Sequence, residues 1–507
     1  MDFSQIPGFL NEAFVILFTP VNFIALVIAT FFGLIVGIIP GLTATMSVAL
    51  LTGLTFGFGP QIAVISLMGV YVGAMSGGSQ AAVLLNIPGT PASAATILDG
   101  YPLNKQGKAG LAIFLATAGS MFGTIISVIF LMFLTPPLAA LGLRFQSYEF
   151  FLLALFGIVI CGNLSSGGDP IKGWISGFFG LIIATVGLDP ISAVARFSFD
   201  SMMMRGGLPL ISLMIAIFGI PEILKIFTKQ IEASSKMTPF KTIEAVKIMG
   251  KNTGTVIRGG LVGTFVGIIP GVGEDIGGWL SYFTAKSVSK NKERFGKGAY
   301  EGVIAVETGT NACVGGALIP VLSLAIPGST SAAIILAAFF MHGYRPGPLL
   351  MSATPGFLYQ VAVYLTFASI SMFILARLIT RYSIKILQVD KRILMPIVFM
   401  FCVIGSYLVR YIFFDIQVMF VFGFIGFLMA YAKFPPAPLL LGIVLGPMAE
   451  ANLIRGLMLS NGSIAPFFTR PISLFFVILI SLLIITQLPF VGKLIKSIKA
   501  KRQNEKE

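Results

Sequence analysis

Pro40-Gly41, Pro88-Gly89, Pro270-Gly271 and Pro327-Gly328 each interrupt a long apolar run. Breaking a helix inside a bilayer strands N–H and C=O groups where no water reaches them. A chain that does this repeatedly must satisfy those groups internally or use them. That the runs belong in a bilayer follows from composition. Of 507 residues, 56% are hydrophobic and only 11% charged, against about 25% charged in soluble domains. Ile113–Leu134, Phe357–Ala376 and Leu474–Leu488 are long enough to span or nearly span. At about 20 residues per crossing, the chain is expected to be an all-α polytopic membrane protein with about ten to twelve transmembrane helices. Cys161, Cys313 and Cys402 lie far apart in apolar runs, which suggests neither a disulfide framework nor a zinc site. The first helix has no positively charged flank and is expected to remain uncleaved.

The net charge of +14 is distributed in clusters. No Lys or Arg precedes Lys105, whereas Lys225–Arg258 carries seven, Lys286–Lys297 five, Arg377–Arg392 five and Lys493–Lys506 six. Basic clusters between apolar segments follow the positive-inside pattern, which places those loops and the C-terminus in the cytoplasm and the N-terminus in the periplasm. No aromatic-basic module accompanies the charges, so nucleic acid is not an expected partner.

The breaks are also a repeat. GLIVGIIPGL at Gly33–Leu42 recurs as GTFVGIIPGV at Gly263–Val272, and NIPGT at Asn86–Thr90 recurs as AIPGS at Ala325–Ser329. Ser76-Gly77-Gly78 precedes the first of the second pair, and Gly315-Gly316 holds the matching place. Charge then sets orientation. The loop near Gly57–Pro60 has no positive charge while its counterpart Lys286–Lys297 has five; Thr135–Tyr148 has only Arg144 while Arg377–Arg392 has five. Opposite orientation of the two halves predicts this asymmetry, and inverted repeats with broken helices are a recurrent design of secondary transporters. Arg258 and Lys286 enclose 27 residues, too few for two crossings. A re-entrant hairpin with Pro270-Gly271 near its tip fits, and Pro40-Gly41 should form its mirror. The expected organisation is a first repeat at 1–144, connecting helices and a basic loop at 145–254, a second repeat at 255–392, and C-terminal helices with a basic tail at 393–507.

At such a break one half-helix ends in free carbonyls, which attract cations, and the next begins with free N–H groups, which attract anions. Thr90, Ser93, Ser329, Thr330 and Ser331 follow the second breaks, and Thr43, Thr45 and Ser47 follow the first. Their hydroxyls suit a bound carboxylate; the plainer alternative is that they only cap helices and pack. The intramembrane acids are a sharper signal, because an ionised carboxylate at a helix centre costs roughly 2.5–3.5 kcal/mol. Glu274 and Asp275 follow Pro270-Gly271, and Glu307 and Asn311 share a helix face four residues apart. These four are the candidate ion-coupling residues, with a possible Na⁺ position near Glu307 and Asn311. Glu301, near Arg294 and Lys297, is equally readable as half of an interfacial ion pair. His342, the only histidine, is more simply a loop residue than a proton relay.

An enzyme is not expected. GVGED at Gly271–Asp275 approaches the GxGD pattern of intramembrane aspartyl proteases, but Glu274 stands where the Asp belongs and no Tyr-Asp partner motif occurs. No HExxH is present, and GxG here lacks the βαβ context of a dinucleotide site. The readings left open are a secondary transporter, a passive anion channel and, behind both, an intramembrane hydrolase.

GIIPGLTATMSVALL at Gly37–Leu51, SGGSQAAVLLNIPGTPASAAT at Ser76–Thr96 followed by DGYPL, and FGKGAYEGV with GGALIPVLSLAIPGS resemble the large membrane subunit of the tripartite tricarboxylate transporters, the TctA family. The resemblance covers roughly residues 20–490. It implies a bacterial inner-membrane protein that imports an organic carboxylate on an ion gradient, Na⁺ or H⁺, without a cofactor. The partners it implies are a small four-helix membrane subunit, a periplasmic substrate-binding protein and the lipid bilayer. It places Asn86, Pro88, Gly89, Thr90, Ser329 and Glu307 around the substrate and ion sites. The candidate substrate residues are thus Thr43, Thr45, Ser79, Asn86, Pro88, Gly89, Thr90, Gly271, Pro327, Gly328, Ser329 and Thr330. The second half departs from the family pattern. Glu274-Asp275 replace a Gly-rich tail, and AVETGTNA at Ala305–Ala312 stands where APEAANNA is frequent. The tricarboxylate is therefore not carried over as the substrate.

Overall fold

The computed structural model describes residues 3–165, 169–189, 191–226, 240–387, 389 and 391–487. The basic tail at Lys493–Lys506 and part of the Lys225–Arg258 cluster lie outside the described residues. Among the described residues the fold is all-α apart from one two-stranded antiparallel ribbon, Gly187–Leu188 with Ala195–Arg196. Among the described residues eight helices are long and apolar enough to cross a membrane. Other apolar helices among the described residues are shorter, and Pro-Gly breaks bound Ala44–Thr55, Thr253–Ile268 and Thr330–Met341.

The chain forms two compact units. One comprises Met1–Leu143 with Pro209–Leu428, the other Arg144–Leu208 with Met429–Glu507. Both expected repeats therefore lie in the first unit, apart from residue 144, and the segments 145–254 and 393–507 are each divided between the units.

Within the first unit the two repeats share one order of elements: hairpin, central helix, broken segment and outer helix. A hairpin, Pro20–Ile38 with Ala44–Thr55, precedes a central helix Pro60–Leu85, a broken segment with a 3-10 turn at Pro91–Ala94 and a short helix Ile97–Lys105, and an outer helix Ala109–Gly142. The second repeat gives Thr253–Ile268 with Gly273–Val288, then Tyr300–Leu324, Thr330–Met341 and Pro355–Ile379. The central helices are almost wholly buried in the first repeat and wholly so in the second. Both end on a residue in the left-handed conformation, Asn86 at φ 60° and Ala325 at φ 58°. That conformation is uncommon away from glycine, so its recurrence at equivalent positions marks a shared construction. The N–H of Gly89 then reaches back to the carbonyl of Gly78, and the N–H of Gly328 to that of Ala317, both at 3.3 Å.

The equivalent helices run in opposite directions. Asn104 donates to the carbonyl of Leu84 at the end of the first central helix. Asp99, on the same short helix, accepts from the N–H groups of Gly296, Gly298 and Ala299, immediately before the second central helix begins. At the other end, His342, which follows the helix Thr330–Met341, lies 6.4 Å from the ring of Phe56, just ahead of the first central helix. Each central helix therefore starts where the other finishes, which is the inverted arrangement that the charges imply.

The second unit packs Ser147–Ser165, Pro170–Ala184, Pro436–Leu459 and Pro471–Gln487. Gly162 and Gly173 let two of these helices approach at backbone distance. Buried Glu149 accepts from Arg470 at 2.7 Å and Ser473 at 2.6 Å. Arg196 on the ribbon pairs with Glu450 and, at 3.4 Å, with Asp189.

Candidate functional site

At the hairpin tips proline ends the first arm, and Gly41 (φ 99°) and Gly271 (φ 76°) turn the chain back. The hydroxyls that follow are engaged locally. Thr43 accepts the N–H of Met46 at 3.1 Å and so caps the second arm of the first hairpin; Ser329 accepts the N–H of Ala332 at 3.1 Å and caps Thr330–Met341. Ser93 Oγ accepts the N–H of Thr90 at 3.3 Å and donates to its carbonyl at 2.8 Å, whereas Thr90 Oγ1 is buried without a hydrogen-bond partner. Ser47 donates to the carbonyl of Thr43, and Ser79 to that of Ser76.

The broken segments then cross between repeats. The second arm of the first hairpin packs on Thr330–Met341, where Thr45 Oγ1 lies 2.9 Å from Thr330 Oγ1 and 3.1 Å from Ser331 Oγ. The second arm of the second hairpin packs on the turn Pro91–Ala94, with Gly278 beneath the carbonyl of Ala92. Each hairpin therefore meets the other repeat's broken segment.

Two buried carboxylates lie at these crossings. Glu274, in the first turn of Gly273–Val288, accepts the hydroxyl hydrogens of Tyr71, from the first central helix, and Ser329, the latter at 2.9 Å. Glu307, on the second central helix, accepts from Thr96 at 2.5 Å and Ser120 at 3.1 Å, both from the first repeat. Asn311 Nδ2 donates to Ser120 Oγ at 2.9 Å. Asn311 Oδ1, Thr308 Oγ1 and Thr310 Oγ1 are buried without a hydrogen-bond partner. Among the described residues no basic side chain pairs with Glu274 or Glu307.

A carboxylate removed from water and met only by hydroxyls is costly as a bare anion; a proton or a cation relieves it. Carboxylate, hydroxyl and amide oxygens are hard donors, which suits Na⁺ and not a thiophilic metal. Among the described residues no three His, Cys, Asp or Glu side chains gather into a metal site.

The other candidates separate. Asp275 is exposed beside its buried neighbour Glu274, and Asn86 is exposed where it ends the central helix. Pro88, Gly89, Pro327 and Gly328 shape the breaks, Gly89 and Gly328 at backbone contact with Gly37 and Gly267. Glu301 lines a cavity with Arg294 and Lys297 without an ion pair to either. Tyr71 and Ser120 gave no signal in the sequence, since a single polar residue in an apolar helix resembles any packed one. Thr96 closes a quoted motif, yet only the fold brings it to Glu307.

Fold and site together define a polytopic membrane protein built from inverted repeats, with two buried carboxylates that each bond across the repeats. The description "Tripartite tricarboxylate transporter TctA family" matches residues 23–441, and the chain belongs to that family, whose members are transporter components. It is 34% identical over 488 residues to an uncharacterised 52.8 kDa protein of the TAR-I ttuC′ 3′ region of Agrobacterium vitis, covering 96% of this chain and 95% of the relative. A second relative, an uncharacterised protein of the TAR-II ttuC′ 3′ region of the same organism, is 34% identical over 42% of this chain and 87% of its own length. No solved structure matches.

Proposed function

We propose that the chain is the transporting subunit of an ion-driven importer of an organic carboxylate, working in the bacterial inner membrane. The observation that carries this reading is that Glu274 and Glu307 each bond across the two repeats, through Tyr71 and through Thr96 and Ser120. Loading either carboxylate with H⁺ or Na⁺ changes a contact between repeats, which is what coupling an ion to alternating access requires. Helix N-termini and the hydroxyls of Thr43, Thr45 and Thr330 supply donors for the substrate's carboxylates. Thr43 and Thr330 are only half-buried and therefore reachable. Membership in a tripartite family supports a small four-helix membrane subunit and a periplasmic binding protein as partners.

The test is uptake into proteoliposomes holding the chain and its small partner, with labelled C4–C6 carboxylates, under Na⁺ or pH gradients applied in turn, with and without the binding protein. Concentrative uptake that needs one gradient and the binding protein is the expected result. Downhill leakage alone, with reconstitution verified, would replace the transporter by a channel.

A further inference from the structure

The two repeats are spaced by 230 residues at the first break and 239 at the second, so the second repeat carries nine additional residues between its breaks. The helices place most of that surplus in the connection between Val288 and Tyr300, eleven residues against the four that link Thr55 to Pro60 in the first repeat, and the longer hairpin arm Gly273–Val288 takes up the remainder. The inverted core closes without it on the other side. The surplus is strongly basic, with Lys290, Lys292, Arg294 and Lys297.

It is also fixed in place. Asp99 holds the N–H groups of Gly296, Gly298 and Ala299 at 2.8–2.9 Å, and Gln106 donates to the carbonyl of Lys297 at 2.8 Å. These bonds take up the backbone of the insertion and leave its cations free. The result is a cavity of about 330 Å³ lined by Lys108, Asn252, Arg294, Lys297 and Glu301. Three cations face one carboxylate, and among the described residues none of them is in an ion pair. Lys108 donates to the hydroxyl of Tyr300.

Beside it runs a second cavity of about 400 Å³ that is almost entirely apolar, lined by Phe114, Met121, Phe122, Val246, Met249 and Phe373 among others. The two are continuous along the chain. Asn252 lines the first and Thr253 the second. Lys108, just ahead of the outer helix, lines the first, and Phe114, six residues on, the second; six residues of helix are roughly 9 Å. The floor of the arrangement is the helix Thr242–Lys251, amphipathic, with Ala245 and Met249 buried and Ile243 and Val246 exposed beside Lys247 and Lys251. Such a helix lies at headgroup depth in a bilayer. The basic loops put this end of the molecule on the cytoplasmic side, where anionic lipids face it.

We propose that this composite cavity binds one anionic phospholipid, its phosphate between Lys108, Arg294 and Lys297 and an acyl chain in the groove between Phe114, Phe122, Val246 and Phe373. Charge complementarity selects the headgroup, and the apolar groove selects a lipid over a soluble anion. Because Asp99, which anchors the insertion, lies three residues beyond Thr96, the lipid also braces the segment that supplies Thr96 to Glu307.

The test is native mass spectrometry of the purified full chain equilibrated with phosphatidylglycerol or phosphatidylcholine in detergent. Retention of phosphatidylglycerol in preference to phosphatidylcholine is expected, with the double variant Arg294→Gln, Lys297→Gln weakening it roughly fivefold for each basic side chain removed. Val246→Trp, an exposed position that fills the groove, should weaken retention while the charges stay. Equal retention of the two lipids, or wild-type retention by both variants, overturns the proposal. Displacement of the lipid by millimolar inorganic phosphate, with equal thermal protection, would also overturn it and leave a soluble-anion site. None of these readouts depends on transport, so the outcome is independent of the proposed function.

Discussion

Tyr71 of the first repeat gives its hydroxyl hydrogen to Glu274 of the second, and Ser329 completes the contact from beyond the second repeat's other break. A phenol inside a central helix otherwise carries an unpaired polar atom into the core, so the two groups satisfy each other. Replacing Tyr71 by Phe leaves Glu274 with one donor and costs about 1.5–3 kcal/mol, the range for a hydrogen bond to a charged group. Glu274→Gln keeps an acceptor and should be the milder change for stability. The measurement is thermal unfolding of the purified variants beside uptake. Equal stability of Tyr71→Phe and wild type would show that the contact carries no weight.

Glu307 has a different test. If it carries the coupling ion, Glu307→Gln should abolish or re-set the gradient dependence of uptake while leaving the protein folded, since glutamine can still accept from Thr96 and Ser120. Thr96→Val removes one oxygen and retains size, so it should weaken ion activation by roughly tenfold, the equivalent of about 1.4 kcal/mol, without changing which ion is used. An unchanged ion dependence in both variants would reduce Glu307 to a structural role.

The repeats and their breaks were legible in the sequence because Pro-Gly leaves a mark that no apolar background hides. The opposite orientation was legible from charge alone. What the sequence could not give was the exchange of partners. That Gly273–Val288 packs on Pro91–Ala94, and Ala44–Thr55 on Thr330–Met341, depends on contacts between residues nearly 200 or more positions apart. Tyr71, Thr96 and Ser120 entered the site for that reason only. Asp275, read together with Glu274, points elsewhere because adjacent residues on a helix project about 100° apart. The crossings were harder to count, since hairpin arms of 12 and 16 residues are too short to pass for full spans.

Gly89 and Gly328 each pass so close to a helix that a Cβ would lie 2.5 Å from the carbonyl oxygen of Gly37 and 2.1 Å from that of Gly267. The obstacle is backbone, which cannot swing aside. Gly89→Ala and Gly328→Ala should therefore each destabilise by about 1–3 kcal/mol through overpacking, and by similar amounts because the sites are equivalent. Thermal midpoints of the two variants check this. A neutral effect at either would show that the breaks are looser than their contacts indicate.

Orientation is open to direct measurement at exposed positions. Gly59 precedes the first central helix and Asn291 precedes the second, and both are exposed. Single cysteines at the two positions, in a background where the three buried native cysteines are left unreactive, should label from opposite faces, Gly59→Cys from outside and Asn291→Cys from inside. Labelling of both from one face would contradict the antiparallel central helices.

Asp99 ties the two repeats together through the backbone. One of its oxygens holds three backbone N–H groups, those of Gly296, Gly298 and Ala299, and thereby ties the first repeat's short helix to the basic insertion of the second. Asn at this position keeps an acceptor oxygen but no charge; Ala removes both. With each hydrogen bond to a charged group contributing about 1.5–3 kcal/mol, Asp99→Ala should free the insertion locally before it unfolds the core, because Asp99 touches only the first turn of Tyr300–Leu324 and the rest of both central helices is buried against other elements. Hydrogen exchange of the three amides should then rise at least tenfold in Asp99→Ala and less in Asp99→Asn, while amides within Pro60–Leu85 and Tyr300–Leu324 stay protected. Uniform exchange across the whole unit would mean that Asp99 supports global stability, and unchanged exchange would mean that the insertion is held by something else.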